Sequence, residues 1–318
     1  MSKVYITDYI ESPDIEFDVL GNYLSDNLSN EIEYIIVWHQ KVDKNFIDNL
    51  PNLKGIVRYG VGYDQIDIDY CRKRNIVVCN TPDYGTDEVS DTALAMIMNI
   101  TRGISRYDYL SRSYFDTWQE NTIKSIKRNK DVKLGVIGAG RIGGSLILKA
   151  NALRFQTFFY DPYVVRGHEK MLNSTRLESL KEILNACDII SINCPLNSET
   201  KAMVDDEFIS LMKDGASLVN TARGGIISNV DVFYKALKED KMSNVSLDVL
   251  PEEPPKKSLL LDAWRVKAPW LDGRFIINPH TAYYSDKSFY EMRFKAATNI
   301  LRMIEGKSPY NRVDIDFY

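Results

Sequence analysis

The most constraining stretch of the sequence is KLGVIGAGRIGG at residues 133–144, where a strand pattern runs into a glycine turn and then a helix pattern. Gly138, Gly140 and Gly143 have the spacing Gly-x-Gly-x-x-Gly. Glycines at these positions permit a tight turn and let the backbone approach a pyrophosphate group, which the N-terminus of the following helix attracts. A strand, this turn and a helix in succession predict a dinucleotide-binding unit.

An acidic residue further along the chain indicates which dinucleotide is bound. Asp161 lies 18 residues after Gly143, at the end of the strand-like segment TFFYD. A carboxylate there can accept hydrogen bonds from the adenosine ribose hydroxyls, and it repels a 2′-phosphate. The sequence therefore predicts NAD rather than NADP as the cofactor. The alternative interpretation is a glycine turn followed by an ordinary surface aspartate.

Strand-like and helix-like segments alternate through the 318 residues, which predicts an α/β fold with parallel sheets. Between two series of strands lies a helix at 87–102 that is apolar on more than one face, as expected for a link between domains or a subunit contact. The predicted strands are residues 4–7, 34–38, 55–58 and 76–79 in the first series, and LGVIG, TFFYD, IISINC, SLVNTA, VSLDV and FIINP in the second.

The second series begins at Lys133 and predicts one doubly wound parallel sheet. The helix at 286–304 follows this sheet, and we expect it to return to the first unit. The proline- and lysine-containing stretch 251–274 is predicted to be one long irregular connection.

Composition and charge argue against several classes of protein. A net charge of −4 with scattered lysine and arginine does not fit a nucleic-acid-binding protein, and the one denser basic run, 124–133, is interpreted as a solvated face. No apolar stretch approaches the roughly 20 residues of a membrane-spanning helix. Residues 1–8 lack a signal-peptide pattern. The four cysteines have no metal-binding spacing, so we expect buried thiols, no metal and a cytoplasmic location.

Acid–base chemistry near neutral pH points to histidine, and the chain has three. His39 follows an apolar strand and His168 lies in a polar stretch, so they are interpreted as a strand-end residue and a solvated loop residue. His280 follows the predicted strand FIINP, where open α/β sheets bind their ligands. Arg223 follows the strand SLVNTA, and its guanidinium can hold a carboxylate and stabilise charge on a carbonyl oxygen.

Seven motifs in order make the chain resemble the D-isomer-specific 2-hydroxyacid dehydrogenases over nearly its whole length. Within that family, segments such as PDYGTDEVSDTAL and PHTAYYSDKSFYEMR are similar to the C-terminal binding protein branch. That branch includes corepressors that bind NAD(H) as well as bacterial proteins regarded as enzymes. The seven motifs are RYGVGYDQID (58–67), GAGRIGG (138–144), FYDP (159–162), NCPLNSET (193–200), VNTARGG (219–225), SLDVLPEEP (246–254) and NPHTAYYS (278–285).

The resemblance implies an NAD-dependent dehydrogenase that acts on a small D-2-hydroxy acid or 2-oxo acid. It implies two Rossmann-like or flavodoxin-like domains, with the active site in the cleft. The substrate-binding domain is expected in residues 1–86 and 286–318, and the NAD-binding domain, inserted between them, in residues 87–285. A homodimer is also expected, with no membrane or direct nucleic-acid partner.

The resemblance further implies a catalytic set of Arg223, Glu253 and His280. His280 matches the acid/base, Glu253 the carboxylate that pairs with it, and Arg223 the residue that binds the substrate carboxylate and polarises its carbonyl. Glu252 is the alternative carboxylate; Glu253 is preferred because the motif places the acid immediately before proline. A glutamate at this position differs from the glutamine of formate dehydrogenases.

Substrate and cofactor contacts are implied in the same way. Arg58, Gly60 and Val61 match a loop whose amides and arginine bind the substrate, and Tyr283 stands where the branch carries tryptophan. Asp248 matches a residue that contacts the nicotinamide amide, although a cap at the strand end is the alternative. The implied cofactor contacts are Gly138, Gly140, Arg141, Ile142, Gly143, Asp161, Pro195, Thr200, Thr221, Ala222 and Asp248.

Two other functions remain open at the level of sequence. One is an NAD(H)-sensing binding protein like the corepressors, and the other is a dehydrogenase of phosphite or a phosphonate-linked substrate, which would use the same three residues. The connection 254–279 is longer than is usual in the family and carries Trp264 and Trp270. We expect it to cover the cleft, extend a dimer contact or bind a partner.

Overall fold

The computed structural model describes residues 2–123 and 126–315, and the chain divides into two compact units. Unit 1 is Met1–Gly85 together with Tyr283–Tyr318, and unit 2 is Thr86–Ala282. These bounds lie within three residues of the predicted domain bounds. The predicted basic run begins with Lys124, which lies outside the described residues.

Each unit is built on a sheet whose paired strands are parallel, so the predicted α/β class is confirmed. Unit 1 contains β1 (Val4–Ile6), β2 (Tyr34–Val37), β3 (Gly55–Arg58) and β4 (Val77–Cys79). Unit 2 contains β5 (Lys133–Ile137), β6 (Gln156–Tyr160), β7 (Thr175–Arg176), β8 (Ile189–Ile192), β9 (Ala216–Asn220), β10 (Met242–Leu247) and β11 (Phe275–Ile277).

Helices alternate with these strands along the chain. None of the helices in the described parts of the chain has both the length and the apolar character needed to cross a bilayer. They are α1 (Asp14–Leu20), α2 (Lys44–Asp48), α3 (Ile68–Lys73), α4 (Thr86–Arg102), α5 (Ile104–Ser111), α6 (Arg141–Ala152), α7 (His168–Leu172), α8 (Leu180–Ala186), α9 (Asp206–Leu211), α10 (Val232–Lys238), α11 (Leu259–Arg265) and α12 (Asp286–Ile304), with 3₁₀ turns at Gly21–Tyr23, Asn129–Asp131, Gly224–Ile226 and Pro269–Leu271.

Unit 1 has the strand order β1-β2-β3-β4, and α12 returns to it as predicted. Ser285 begins α12 with a capping box, and the apolar face of the helix packs into the core of unit 1. Glu16 on α1 is fully buried, and its carboxylate pairs with Arg293 of α12 at 2.6 Å and accepts the Tyr59 hydroxyl at 2.7 Å. A buried charge is tolerated only when paired in this way, so the network ties both helices to the end of β3.

Unit 2 has the strand order β11-β10-β9-β8-β5-β6-β7. The chain moves outward from β5 to β6 and β7 on one side, then returns to β8 on the other, which is the doubly wound arrangement predicted. Ligands of such sheets bind outside the carboxyl ends of the strands, at the point where the order reverses. That point lies between β5 and β8.

The prediction of an irregular connection at 251–274 is wrong. Ser258 caps α11, whose Leu260 and Leu261 are buried in the core of unit 2. Trp270 packs its ring edge-on to Tyr234 at 5.3 Å. The helix is only seven residues long, too short for a helical period to stand out between prolines and lysines.

Candidate active site

The glycine turn has the geometry that a dinucleotide requires. Gly138 directly follows β5 and has φ +89°, and a Cβ there would lie 2.7 Å from the Cys194 nitrogen. A Cβ on Gly143 would overlap the carbonyl oxygen of Gly138, so this helix residue must be glycine. Open space surrounds the Cβ position of Gly140, the N-cap of α6. The first amides of α6, from Arg141 and Ile142 onward, are therefore accessible to an anion.

Asp161 is the residue directly after β6, and its carboxylate also holds the glycine turn in place. Its Oδ2 accepts the N–H of Ala139 at 2.8 Å, and its Oδ1 accepts the N–H of Tyr163 at 2.9 Å. Each carboxylate oxygen has two acceptor sites, so Asp161 keeps capacity for the hydroxyls of a ribose.

His168 braces the same turn, which corrects its interpretation as a solvated loop residue. Its Nε2 lies 2.8 Å from the carbonyl oxygen of Ala139. The residue is half-buried, and its ring lies edge-on to that of Phe159. A carbonyl can only accept, so Nε2 carries the proton. Asp161 and His168 thus hold the N–H and the C=O of one residue, Ala139, in the centre of the turn. The sequence offered no signal for this contact, because His168 lies 29 residues from Ala139 in the chain.

Replacing His168 by alanine is expected to raise the dissociation constant of NADH about 2–10-fold, the effect of one lost neutral hydrogen bond. The turnover number at saturating NADH should stay within twofold, because the bond does not reach the reacting atoms. Fluorescence titration of NADH measures the first quantity and initial rates the second. Met171→Ala on the same helix, with an exposed side chain, is the matched control. An unchanged dissociation constant in the His168 variant would contradict the bracing role.

Buried polar atoms beside the turn also fit a bound dinucleotide. Among the described residues, Thr221 Oγ1 at the end of β9 and Asn193 Oδ1 at the end of β8 are buried with no hydrogen-bond partner. An orphaned buried acceptor or donor is costly unless a ligand or water satisfies it. Thr221 was predicted as a cofactor contact and Asn193 was not. Of the other predicted contacts, Thr200 donates to the Pro195 carbonyl at 2.6 Å and orders the loop after β8.

Two members of the predicted catalytic set are in direct contact. His280 Nδ1 lies 2.7 Å from Glu253 Oε2, and both side chains are about two-fifths exposed, at 40% and 36%. Glu253 Oε1 accepts the Leu250 N–H at 2.8 Å. Burial raises the pKa of Glu253, but the bonds from His280 and Leu250 and the charges of His280 and Arg223 outweigh it and bring the pKa below its ordinary value. An ionised carboxylate only accepts, so His280 carries its proton on Nδ1, which leaves Nε2 to exchange protons.

Arg223 follows β9 and lies close enough to Glu253 for its charge to lower the pKa of that carboxyl. Close backbone packing explains the proximity. A Cβ on Gly224 would overlap the carbonyl of Leu250, so the segment after β9 packs directly on the segment that leads to Glu253. The Arg223 guanidinium also donates to the Ala222 carbonyl at 2.8 Å. The alternative carboxylate, Glu252, instead pairs with Lys256 at 2.9 Å.

The loop that carries His280 is held by Asp248, the buried residue after β10. His280 has φ +57°, a left-handed conformation that costs on the order of 1–3 kcal/mol outside glycine. The His280 N–H donates to the Asp248 carbonyl at 2.8 Å, and the Thr281 and Ala282 amides donate to its carboxylate at 3.0 Å. Burial raises the pKa of Asp248 by more than these two amides lower it. The strand-end cap considered for Asp248 is therefore present, and it fixes the backbone at His280.

The predicted substrate loop lies in unit 1, at the end of β3. Gly60 has φ +115°, and a Cβ there would overlap the Arg58 guanidinium, which lies across the loop. The Gly60 N–H donates to Thr81 Oγ1 at 2.5 Å, which supports the loop. Val61 is half-buried against the unit 1 core. Tyr283, also in unit 1, packs edge-on to Tyr84 at 5.9 Å.

No group of histidine, cysteine and acidic side chains in residues 2–123 and 126–315 is placed to hold a metal ion. Cys71, Cys79 and Cys187 are buried, and Cys194 is half-buried. Burial raises the pKa of the first three thiols to about 12 and that of Cys194 to about 11. Thiols with such values are unreactive at neutral pH.

Comparison with known proteins agrees with the geometry. Residues 94–282 match the NAD binding domain of the D-isomer specific 2-hydroxyacid dehydrogenases. Glyoxylate reductase of Thermococcus litoralis is 31% identical over 282 residues, which are 87% of this chain and 81% of that protein. C-terminal-binding protein 1 of Caenorhabditis elegans is 30% identical over 296 residues. The 296 aligned residues are 90% of this chain but only 39% of that relative, so this chain spans less than half of the relative's length.

Solved structures show the same fold across the chain. D-lactate dehydrogenase from Aquifex aeolicus, complexed with NAD and lactic acid, has a TM-score of 0.83 at 28% identity, covering 99% of this chain and 100% of that chain. D-mandelate dehydrogenase of Rhodotorula graminis has a TM-score of 0.84 at 24% identity, with 99% and 98% covered. The predicted family, fold and nicotinamide dinucleotide cofactor are confirmed. The chain belongs to the D-isomer specific 2-hydroxyacid dehydrogenases, a family of NAD-dependent oxidoreductases.

Proposed function

We propose that the chain interconverts a small 2-oxo acid and the corresponding D-2-hydroxy acid, with NAD(H) as the redox partner. The observation that supports this most directly is the 2.7 Å contact between His280 Nδ1 and Glu253, beside Arg223, at the carboxyl edge of the NAD-binding sheet. An acid/base, its orienting carboxylate and a cation are the groups that proton transfer at a carbonyl requires.

His280 acts as the acid in reduction and as the base in oxidation. With Nδ1 bonded to Glu253, proton exchange takes place at Nε2, which gives a proton to the C2 oxygen of a 2-oxo acid or removes one from the hydroxyl. Bound NADH supplies the hydride to C2. The Glu253 carboxylate stabilises the imidazolium and keeps the ring in one tautomer. Asp248 prevents the loop from relaxing out of its left-handed conformation.

Arg223 binds the substrate carboxylate and stabilises the negative charge that develops on the C2 oxygen. Its planar guanidinium offers two parallel N–H groups to a carboxylate. In unit 1, Arg58 and the Val61 amide are proposed to contribute to substrate binding, with Tyr283 beside them. Asp248 is also proposed to contact the nicotinamide amide.

The assay that tests this function follows NADH absorbance with a panel of 2-oxo acids: glyoxylate, pyruvate, hydroxypyruvate, 4-methyl-2-oxopentanoate and phenylpyruvate. We expect NADH oxidation with at least one of them, and formation of the D enantiomer by chiral chromatography. Phosphite with NAD is a separate arm. Turnover of phosphite but of no 2-oxo acid would replace the proposed substrate class, and no turnover in any arm would refute a dehydrogenase function.

Asp161 is proposed to favour NAD over NADP by repelling a 2′-phosphate. Asp161→Asn retains an acceptor oxygen for the Ala139 N–H but removes the charge. The ratio of kcat/KM with NADH to that with NADPH is expected to fall at least about tenfold, because charge repulsion at short range costs more than 1 kcal/mol. Initial rates with both cofactors measure it, and an unchanged ratio would assign the preference to another residue.

A binding function regulated by NAD(H) is the second candidate, favoured by the similarity to C-terminal-binding protein 1. Sedimentation of the protein with and without NADH discriminates between the two. A change of assembly on adding NADH, without turnover of any acid, would favour the binding function.

We also propose that the chain forms a homodimer through unit 2. The helix α4 has half-buried apolar residues, Leu94, Met98 and Ile100, beside its buried face. Downstream of α5, Phe115 is 88% exposed and Trp118 is 66% exposed. The Trp118 ring also lies edge-on to Tyr114 at 6.4 Å, and grouped apolar side chains exposed to solvent favour a subunit contact. Light scattering of the purified protein tests it, and a monomer at micromolar concentration would refute it.

A further inference from the structure

The loop between β6 and α7, residues 161–167, has few backbone hydrogen bonds of its own. Pro162 within it has no N–H to donate. In the described parts of the chain, the carbonyls of residues 161–166 accept one backbone N–H, which His168 donates to Val165 at 3.3 Å. A loop with so few backbone bonds keeps one conformation only when side chains hold it.

Arg176, the last residue of β7, provides this support. Its Nη2 donates to the Asp161 carbonyl at 3.0 Å, and its Nη1 donates to the Val164 carbonyl at 2.9 Å. Nη1 also lies 3.5 Å from the Val165 carbonyl. The side chain is half-buried, and the pairing of β7 with β6 places Arg176 beside Phe159. One guanidinium therefore joins the first residue of the loop to its middle.

The two ends of this loop hold the glycine turn. Asp161 accepts the Ala139 N–H at 2.8 Å, and the His168 ring, directly after the loop, lies 2.8 Å from the Ala139 carbonyl. All of these residues belong to unit 2. The loop thus contacts both polar backbone groups of Ala139, and Arg176 fixes the course of the backbone between the two contacts.

The direction of the Asp161 carboxylate depends on the same contacts. Arg176 holds the backbone carbonyl of Asp161, and the Ala139 and Tyr163 amides hold its two carboxylate oxygens at 2.8 and 2.9 Å. A carboxylate that is fixed in advance loses little entropy when it bonds to a ribose, and it does not turn away from a 2′-phosphate. Fixing this group therefore strengthens NAD binding and the repulsion of NADP together.

We propose that Arg176 is a positioning residue that determines the selectivity for NAD, because it holds the loop that carries Asp161 in its binding conformation. This inference rests on the proposed role of Asp161 in excluding NADP. Arg166 provides a contrast within the same loop. Its guanidinium is 72% exposed and pairs with the Glu178 carboxylate at 2.6 Å, so it does not hold the backbone around Asp161.

The variant that tests this inference is Arg176→Lys, which keeps the positive charge but lacks the planar fork that spans two carbonyls. The dissociation constant of NADH is expected to rise about 3–10-fold, the effect of one lost hydrogen bond from a charged donor. That of NADPH should stay within twofold, because a released carboxylate also repels the 2′-phosphate less. Fluorescence titration measures both constants without any substrate, so the result does not depend on turnover.

Arg166→Lys is the matched control, since it makes the same change at an exposed arginine of the same loop. It should leave both dissociation constants unchanged. An equal rise for NADH and NADPH in Arg176→Lys would give Arg176 a structural role without an effect on selectivity, and it would overturn the proposal. Two unchanged constants in Arg176→Lys would overturn it as well.

A double variant shows whether Arg176 acts through Asp161. Asp161→Asn alone is expected to lower the ratio of the NADPH to the NADH dissociation constant. Adding Arg176→Lys should then change this ratio by less than twofold, because the charge that Arg176 positions has already been removed. Additive effects of the two substitutions would overturn the inference.

The same titrations separate this inference from the proposed function. An unchanged ratio in Asp161→Asn would refute the proposed role of Asp161 and the inference together. A lower ratio in Asp161→Asn with an unchanged ratio in Arg176→Lys would refute only the inference about Arg176, and the roles of Asp161 and of the dehydrogenase site would stand.

Discussion

Replacing His280 by alanine is expected to lower kcat for 2-oxo acid reduction by about 10²–10⁴-fold, the usual contribution of a positioned general acid. The imidazole is the only candidate in the described part of unit 2 that combines contact with an ionised carboxylate and a position at the carboxyl edge of the sheet. NADH binding should change little, because the side chain is not part of the glycine turn. Single-turnover rates with pre-bound NADH measure the loss without interference from product release.

The neighbouring glutamates provide a matched pair of controls. Glu253→Gln removes a charged acceptor from Nδ1 and should lower kcat about 10–100-fold, the effect of one charge-assisted hydrogen bond. Glu252→Gln loses only an exposed pair with Lys256 and should keep wild-type activity. A larger loss in Glu252→Gln would move the carboxylate role to the adjacent residue. Wild-type turnover in His280→Ala would remove the histidine from the chemistry altogether.

The lowered pKa of Glu253 also sets a direction for the pH profile. A carboxyl whose pKa is depressed in the folded state stabilises that state above its unfolded pKa, and this contribution is lost as the pH falls through the folded value. Glu253 therefore remains ionised down to pH values below about 4.3, the ordinary value for a glutamate. An acid limb of kcat that lies above pH 5 in the wild-type protein cannot be caused by protonation of Glu253.

One property of parallel sheets explains which parts of the site can be predicted from the sequence. Parallel strands bring their carboxyl ends to one edge of a sheet, so residues that follow strands converge even when they are far apart in the chain. Asp161, Arg223, Asp248 and His280 each follow a strand directly or within three residues. Their position at one edge of the sheet could be predicted once the strands were recognised, and the glycine spacing located the turn because only glycine fits at Gly138 and Gly143.

Other contacts had no local signal in the sequence. The contact between His168 and the glycine turn depends on where α7 packs, and a lone histidine in a polar stretch is usually solvated. The buried charge of Glu16 is matched by Arg293, which lies 277 residues away in the chain. Only tertiary packing could reveal such a pair. The short helix α11 was missed for a different reason. Burial of Leu260 and Leu261 stabilises it, and its seven residues are too few to show a helical period in the sequence.

Replacing Arg223 by alanine is expected to lower kcat/KM for the 2-oxo acid by about 10²–10³-fold, equivalent to the loss of roughly 3 kcal/mol of transition-state stabilisation. The guanidinium is proposed to bind the substrate carboxylate and to stabilise charge on the C2 oxygen, so both binding and turnover should weaken. Arg223→Lys keeps a cation without the bidentate fork, and it should recover only part of the loss.

The dissociation constant of NADH decides whether Arg223 acts on the substrate or on the cofactor. It should stay within about twofold in Arg223→Ala, since one absent substrate contact does not disturb the glycine turn. Arg265→Ala is the control: Arg265 is a partly exposed arginine on α11 that pairs with Asp262 at 3.1 Å, and its loss should change neither quantity. If Arg223→Ala weakens NADH binding as much as it lowers kcat/KM, the guanidinium is a cofactor ligand and not a substrate ligand.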